Sequence, residues 1–330
     1  MTFAAQDAAS WLANPRATRE TLEAFGLATK HRLGQNFLVE DNIIRKIIRL
    51  AELTSDDVVL EVGPGLGTLT VAMLDYVRAV CSIEADRELE GVLAATCKEP
   101  HQDSFVLCMR DALKATPQLV GDAYASLGVF ADAQGKEASG ALIGPNKFVS
   151  NLPYQVAATL ILLFFQEFTT LEQAVVMVQA EVADRILAKP KTKAYGAYTA
   201  KLALYAQVSG RFEVAPGNFM PPPRVNSAVV RLERAPMTDP SGTSVLTSEQ
   251  LAWVARVIDA AFAQRRKTIR NSMGASGFKK DTLEKALLAA HIEPTVRAEA
   301  LGVKDFVRLA MALAEGGAYG EETTFVHGRR

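Results

Sequence analysis

DVVLEVGPGLGTLTVAML, residues 57–74, changes periodicity half-way along and so decides the fold. Val58 to Val62 is a short, largely apolar, β-branched run; glycines follow at 63, 65 and 67, and a helical pattern then continues to Leu74. The order is strand, tight loop, helix. A second such unit begins at AVCSIEAD (79–86), and SFVLCMRDAL (104–113) supplies a third strand. Further strands are predicted in NKFVSNLPY (146–154), in QAVVMVQAEVADRI (173–186), where a strand runs into a helix, and in NSAVVRLERA (226–235). Strands alternating with helices predict an α/β fold with a parallel, doubly wound sheet.

With 330 residues, 49% of them hydrophobic and 22% charged, the chain can fill one large core and one smaller one. Residues 1–28 read as a helical extension, 29–240 as the sheet domain, 241–318 as a helical domain and 319–330 as a tail. Pro236 to Thr247 is a polar connector, and residues 121–146, rich in Gly, Ala, Ser and Asp, read as a flexible insertion. VEDNIIRKIIRLAEL (39–53) is patterned as a helix, with Asp41 or Asn42 as its N-cap. Cys81, Cys97 and Cys108 have no paired spacing and no clustered histidines beside them, so neither a metal site nor a disulfide framework is expected and a reducing cytoplasm fits. The longest apolar run, Val156 to Phe165, is interrupted by Thr159 and is too short for a bilayer span. The N-terminus lacks a secretory pattern, so no export is expected.

The glycines at 63, 65 and 67 follow GxGxG rather than the GxGxxG of dinucleotide enzymes, and taken alone they could be turn formers only. Glu84 ends the next strand, seventeen residues after Gly67, where a carboxylate can accept hydrogen bonds from two ribose hydroxyls. Asp111 ends the third strand and can receive an adenine amino group. Three such features at successive strand ends point to a ligand containing a nucleoside. A pyrophosphate favours the longer glycine fingerprint; S-adenosylmethionine has no phosphate, and the shorter spacing leans towards it.

Asn151, Leu152, Pro153 and Tyr154 close the fourth strand. The lone pair of an adenine amine is delocalised into the ring, and attack on a sulfonium methyl requires it to be localised. The Asn151 side-chain oxygen and the carbonyl of Leu152 or Pro153 can accept the two amine hydrogens. Pro153 stiffens the loop, and Tyr154 can stack on an extruded base. The alternative is a strand-ending turn with an Asn cap and a core tyrosine. Phe219, ahead of three prolines, either faces the other side of the base or belongs to the core.

The net charge of −1 argues against a uniformly basic coat, yet positive charge is concentrated locally. AAFAQRRKTIRNSM (260–273) reads as a helix presenting Arg265, Arg266, Lys267 and Arg270 to phosphates, or else as a solvated face. Lys30, Arg32, Arg45, Lys46, Arg49 and the KPKTK run (189–193) are candidates to extend this track. Glu181 and Arg185, four apart, suit a helical ion pair. No general base is nominated, because a methylated amine can lose its proton to water.

In order, HRLGQNFL, EVGPGLGTLT, IEAD, RDALK, NLPY, VQAEVADRI, YGAYTAKLALYAQV, FMPPPRVNSAVVRL and AFAQRRKTIRNSM resemble the ribosomal RNA adenine N6,N6-dimethyltransferase family, most of all its bacterial small-subunit branch. The likeness spans residues 30–315. It implies a Rossmann-like class I methyltransferase sheet with a smaller C-terminal all-helical domain. It further implies that Gln35, Asn36 and Leu38 line an S-adenosylmethionine pocket beside Gly63, Gly65, Glu84, Asp111 and Asn151. The implied reaction is dimethylation of two neighbouring adenines near the 3′ end of small-subunit (16S) ribosomal RNA within an immature 30S particle, by a protein expected to be a cytoplasmic monomer. Gln155 stands where many members carry Asn. Competing readings are the related large-subunit enzyme, an RNA-binding assembly factor with vestigial catalysis, and a dehydrogenase.

Overall fold

The computed structural model describes residues 9–28, 35–129 and 144–318. The chain forms two compact units, one of Met1–Ala183 with Val208–Arg234 and one of Asp184–Gln207 with Ala235–Arg330. The strands are β1 (Phe37–Leu38), β2 (Val58–Val62), β3 (Ala79–Glu84), β4 (Phe105–Met109), β5 (Lys147–Asn151), β6 (Gln173–Gln179), β7 (Ala206–Val214), β8 (Phe219–Met220) and β9 (Ser227–Arg234). Seven form one sheet in the order β4-β3-β2-β5-β6-β9-β7, and β1 pairs with β8. From β4 to β6 the strands are parallel, and β9 is antiparallel to β6. Every residue of β2 and β3 is buried, as strands covered on both faces require. After β4 the chain returns across β2 to reach β5. The carboxyl ends of β2 and β5 therefore flank the point where strand order reverses, and a crevice opens there.

The helix Asp41–Ala51 buries Ile43, Ile44, Ile47 and Ile48 at the predicted spacing. Its cap differs from expectation: Glu40, in an extended conformation, accepts from Asn42 N–H. Asp41 instead opens the first turn and accepts from Ser10 N–H at 3.1 Å and Arg45 Nε at 2.7 Å. Residues 9–28 are integral to the first unit. Their helix, Pro15–Ala24, is capped by Asn14, and Ala13 and Leu22 join the core around Ile44 and Ile47.

The first residues of the insertion expected over 121–146 are helical instead. Pro117–Ser126 is a helix capped by Thr116, and the buried Tyr124 hydroxyl donates to Val59 O at 2.8 Å. Small residues there imitate a linker, but Val120 and Tyr124 anchor the helix to the sheet. Residues 130–143 lie outside the described residues. Asn146 re-enters the sheet by accepting from Val58 N–H at 2.8 Å and donating to Asp57 at 2.7 Å.

The second unit contains the helices Ser248–Phe262, Ile269–Ala275, Lys280–Ala289 and Val303–Leu313. A domain boundary near 240 overlooks residues 184–207, which belong to this unit. Tyr195 donates to Leu301 O at 2.8 Å, Lys191 N–H donates to Glu299 O at 2.7 Å, and Lys201 pairs with Asp259 at 2.8 Å. Arg185 lies over the Tyr198 ring, 5.4 Å from its centroid, rather than against Glu181. The single helix expected over 260–273 is broken: one helix ends at Phe262, and Thr268 caps the next. Ser272 fixes the break by accepting from Gln264 N–H at 3.0 Å and donating to Ala260 O at 2.9 Å.

Candidate active site

The loop after β2 closes tightly because of two glycines. Gly67 has φ +91°, and a Cβ there would stand 2.4 Å from Cys97 Sγ. Gly63 has φ +69°, and a Cβ there would press on the Pro153 ring at 3.3 Å. Gly63 thus lets the loop after β5 settle on the loop after β2. Between them lies a cavity of about 400 Å³, a size that suits a small organic ligand.

Each residue expected to hold the cofactor borders this cavity. Gln35, Asn36 and Leu38 form one wall, and Gly63 and Gly65 present backbone. Glu84 ends β3 and is 8% exposed. Its carboxyl accepts from Asp86 N–H at 2.8 Å. Burial raises its pKa, backbone amides oppose the rise and the Asp86 charge adds to it. Asp111 is exposed at the cavity edge and accepts from Leu113 N–H at 3.0 Å.

Asn151 donates from Nδ2 to Asn36 O at 3.4 Å, and its Oδ1 has no protein partner among the described residues. Leu152 N–H is held by Met177 O at 3.1 Å, and Pro153 O is occupied by Val156 N–H at 3.1 Å. Pro153 O thus already accepts one bond, whereas the Leu152 carbonyl has no protein partner among the described residues. Tyr154 OH and Ser227 Oγ are 2.5 Å apart, which anchors the ring by its hydroxyl. Burial raises the phenol pKa and the Ser227 bond partly opposes this, so the hydroxyl is poorly suited to give up a proton.

Phe219 is placed elsewhere. It pairs with Leu38 across β1 and β8, is 3% exposed within the hydrophobic core, and does not border the cavity. Of its two readings the core one describes this conformation, because strand pairing turns the residue into the apolar cluster.

Two acids at the cavity were not singled out from sequence. Glu61, 1% exposed on β2, accepts from Ser82 Oγ at 2.6 Å and Thr70 Oγ1 at 2.7 Å. Burial pushes its pKa up to about 7 against those bonds, with the Glu84 charge adding to the rise. The signal available was a carboxylate inside an otherwise apolar strand, two residues before the first glycine. Asp86, two residues after Glu84, accepts from Gln35 Nε2 at 2.8 Å.

In the second unit Arg265, Arg266, Lys267 and Arg270 are all exposed, on the break between helices and the turn that follows it. Arg265 donates to Lys193 O at 2.7 Å and lies 3.6 Å from Glu299; Arg270 lies 3.6 Å from Glu284. The acids missing from the local sequence thus come from elsewhere in the unit, and Arg266 and Lys267 are left without an ion pair among the described residues. In the first unit Arg45 pairs with Asp41, Lys46 lies 6.0 Å from the Phe212 ring centroid and Arg49 is exposed. Lys30 and Arg32 lie outside the described residues. Among the described residues no group of acids, histidines and cysteines could hold a metal, and no helix is long and apolar enough to cross a membrane.

A family model described as "Ribosomal RNA adenine dimethylase" matches residues 26–315. The chain belongs to this family. Ribosomal RNA small subunit methyltransferase A of Kineococcus radiotolerans is 38% identical over 315 residues, covering 95% of each chain. The protein of the same name in Streptomyces coelicolor is 38% identical over 302 residues, 91% of this chain and 96% of its own. A crystal structure of a dimethyladenosine transferase from Plasmodium falciparum shares the fold, with TM-score 0.66 and 23% identity over 85% of this chain and 98% of its own. Membership makes the chain a ribosomal RNA adenine methyltransferase with a Rossmann-like sheet and S-adenosylmethionine as methyl donor. The dehydrogenase reading falls away. The cavity suits the donor: a buried carboxylate ends β3, an exposed one follows β4, glycine backbone lies between, and an unused amide oxygen stands at the end of β5.

Proposed function

We propose that the chain transfers methyl groups to N6 of two neighbouring adenines near the 3′ end of small-subunit ribosomal RNA, on a partly assembled 30S particle, as a cytoplasmic monomer. The observation that carries this reading is the pair of open acceptors, Asn151 Oδ1 and the Leu152 carbonyl, beside a cavity bordered by Glu84 and Asp111.

S-adenosylmethionine, when bound, would supply an electrophilic methyl group on a sulfonium sulfur, with the neutral thioether S-adenosylhomocysteine as the leaving group. Glu84 receives the ribose hydroxyls and Asp111 the adenine amine of that ligand. Asn151 and Leu152 accept the two N6 hydrogens of the target base. This localises the nitrogen lone pair and fixes its direction, an effect of preorganised dipoles rather than of proton transfer. Tyr154, tethered through Ser227, offers a ring for the extruded base. After transfer the amine bears a positive charge and releases a proton to water, so no base is required. The remaining hydrogen keeps one acceptor engaged, and a second transfer can follow at the same nitrogen. Arg266 and Lys267, with Arg265 and Arg270, bind phosphates of the RNA.

The test is incubation of purified protein with methyl-labelled donor and unmethylated small ribosomal particles, followed by mapping of the modified nucleotides. Dimethyladenosine at two adjacent positions is expected. Label confined to large-subunit RNA, or none at any salt or magnesium concentration, refutes the proposal.

A further inference from the structure

Gln35 borders the cavity, and family resemblance implies that it is a cofactor contact. Its side chain is nevertheless engaged by the protein. Nε2 donates to Asp86 Oδ2 at 2.8 Å. Asp86 is 9% exposed, accepts from Glu88 N–H through Oδ1 at 3.2 Å, and donates its own N–H to Glu84 Oε1 at 2.8 Å. One residue beyond Gln35, the Asn36 carbonyl accepts from Asn151 Nδ2 at 3.4 Å. Beyond Asn36 the chain is pinned by β1–β8 pairing and by Val39 N–H to Asn218 O at 2.9 Å. The dipeptide Gln35–Asn36 therefore links the carboxylates after β3 to the amide that ends β5.

We infer that Gln35 is a positioning residue: through Asp86 it holds the Asn36 carbonyl where that carbonyl orients the Asn151 amide with Oδ1, not Nδ2, free for the substrate amine. The inference rests on the adenine N6 chemistry proposed above and deepens it. An amide turned the other way would oppose N–H to N–H, losing an acceptor and adding repulsion. At 3.4 Å the bond from Asn151 is long and holds the amide weakly by itself. Its effect depends on Asn36 being kept in place. Val39 and the β1–β8 pair secure one side of Asn36, and the Gln35–Asp86 bond secures the other.

Substitutions of opposite polarity test this. Gln35→Glu sets a carboxylate against Asp86 and displaces the segment, so kcat is expected to fall about tenfold or more. The Kd for S-adenosylhomocysteine, measured by calorimetry, is expected to move less than about threefold. Adding Asp86→Asn to Gln35→Glu restores a bond of reversed polarity, because the new amide donates to the new carboxylate while its oxygen still accepts from Glu88 N–H. Most of the lost kcat should return. Asp86→Asn alone is expected to be milder than Gln35→Glu, since the Gln35 amide can turn to accept.

A direct cofactor contact predicts the reverse: the S-adenosylhomocysteine Kd shifts more than kcat, and the second substitution recovers nothing. Either result overturns the inference. If thermal melting shows that Gln35→Glu does not fold, Gln35→Ala takes its place with the same split of kcat against Kd, and an unchanged kcat overturns the role. Wild-type protein that methylates no particle overturns both this inference and the proposed function. An active wild type with the wrong pattern among its variants overturns the role of Gln35 alone.

Discussion

Replacing Glu61 by Gln removes a carboxyl that the fold keeps protonated up to neutrality. In the folded chain this group titrates at about 7, against an ordinary value of 4.5. Folding therefore takes up a proton between those two values, and stability falls as pH rises through the interval. Below 4.5 both states are protonated and the group is neutral to stability. Above 7 both are ionised, and the fold carries a constant penalty of roughly 3 kcal/mol, at about 1.4 kcal/mol for each pH unit separating the two values. From pH 5 to pH 8 the loss comes to about 2–3 kcal/mol. Glutamine keeps an acceptor for Ser82 and Thr70 and carries no charge. Glu61→Gln should therefore gain about 2–3 kcal/mol relative to wild type between pH 5 and pH 8.

Urea unfolding of both proteins at the two pH values measures this directly. Glu84 is also raised, and its pH dependence is common to both proteins apart from the part that comes from its interaction with Glu61, so it largely drops out of the difference. A stability difference that stays the same at both pH values, to within about 0.5 kcal/mol, refutes the argument, because it would mean that Glu61 is ionised in the fold at pH 5.

Asn151→Ala should lower kcat by about 10²–10³, far more than it weakens S-adenosylhomocysteine affinity, and Glu84→Ala should mainly weaken that affinity, by about tenfold or more; calorimetry beside single-turnover kinetics separates the two, and the opposite ranking contradicts the assignments. Tyr154→Phe keeps the ring and should retain most activity, whereas Tyr154→Ala loses about 1–3 kcal/mol of stacking, read as a rise in KM for the particle or a fall in kcat. Equal damage from both would shift the role to the hydroxyl. Arg266→Ala with Lys267→Ala should weaken particle binding and reduce the slope of log K against log salt by about two; an unchanged slope removes these residues from the phosphate contacts.

The sheet was legible because its periodicities are local. Val58–Val62 with the three glycines fixes a strand and its loop within ten residues, and Glu84, Asp111 and Asn151 announce themselves as polar residues ending apolar runs. What escaped depends on partners far away in sequence. The helix Pro117–Ser126 has a linker's composition and is secured by the Tyr124 bond to Val59, 65 residues distant. Arg265 and Arg270 lie in a run without acids and still meet Glu299 and Glu284. Arg185 has a carboxylate at helical spacing and takes an aromatic face instead. In each case local spacing names candidates, and tertiary packing selects among them.

Asn151 shows why this division matters for chemistry. Residue type and place at a strand end suffice to nominate an amide as an acceptor for an amine, but an amide is also a donor, and sequence cannot say which atom faces the substrate. Here the choice is made by a backbone carbonyl 115 residues away, Asn36 O, which takes Nδ2 and leaves Oδ1 unused. The same logic separates the carbonyls of Leu152 and Pro153, equal in sequence, since only Pro153 O is occupied by a turn bond from Val156. Catalytic polarity at this site therefore belongs to the protein's hydrogen-bond accounting rather than to the tetrapeptide. A substitution that preserves Asn151 to Tyr154 and frees the Asn36 carbonyl should still slow methyl transfer.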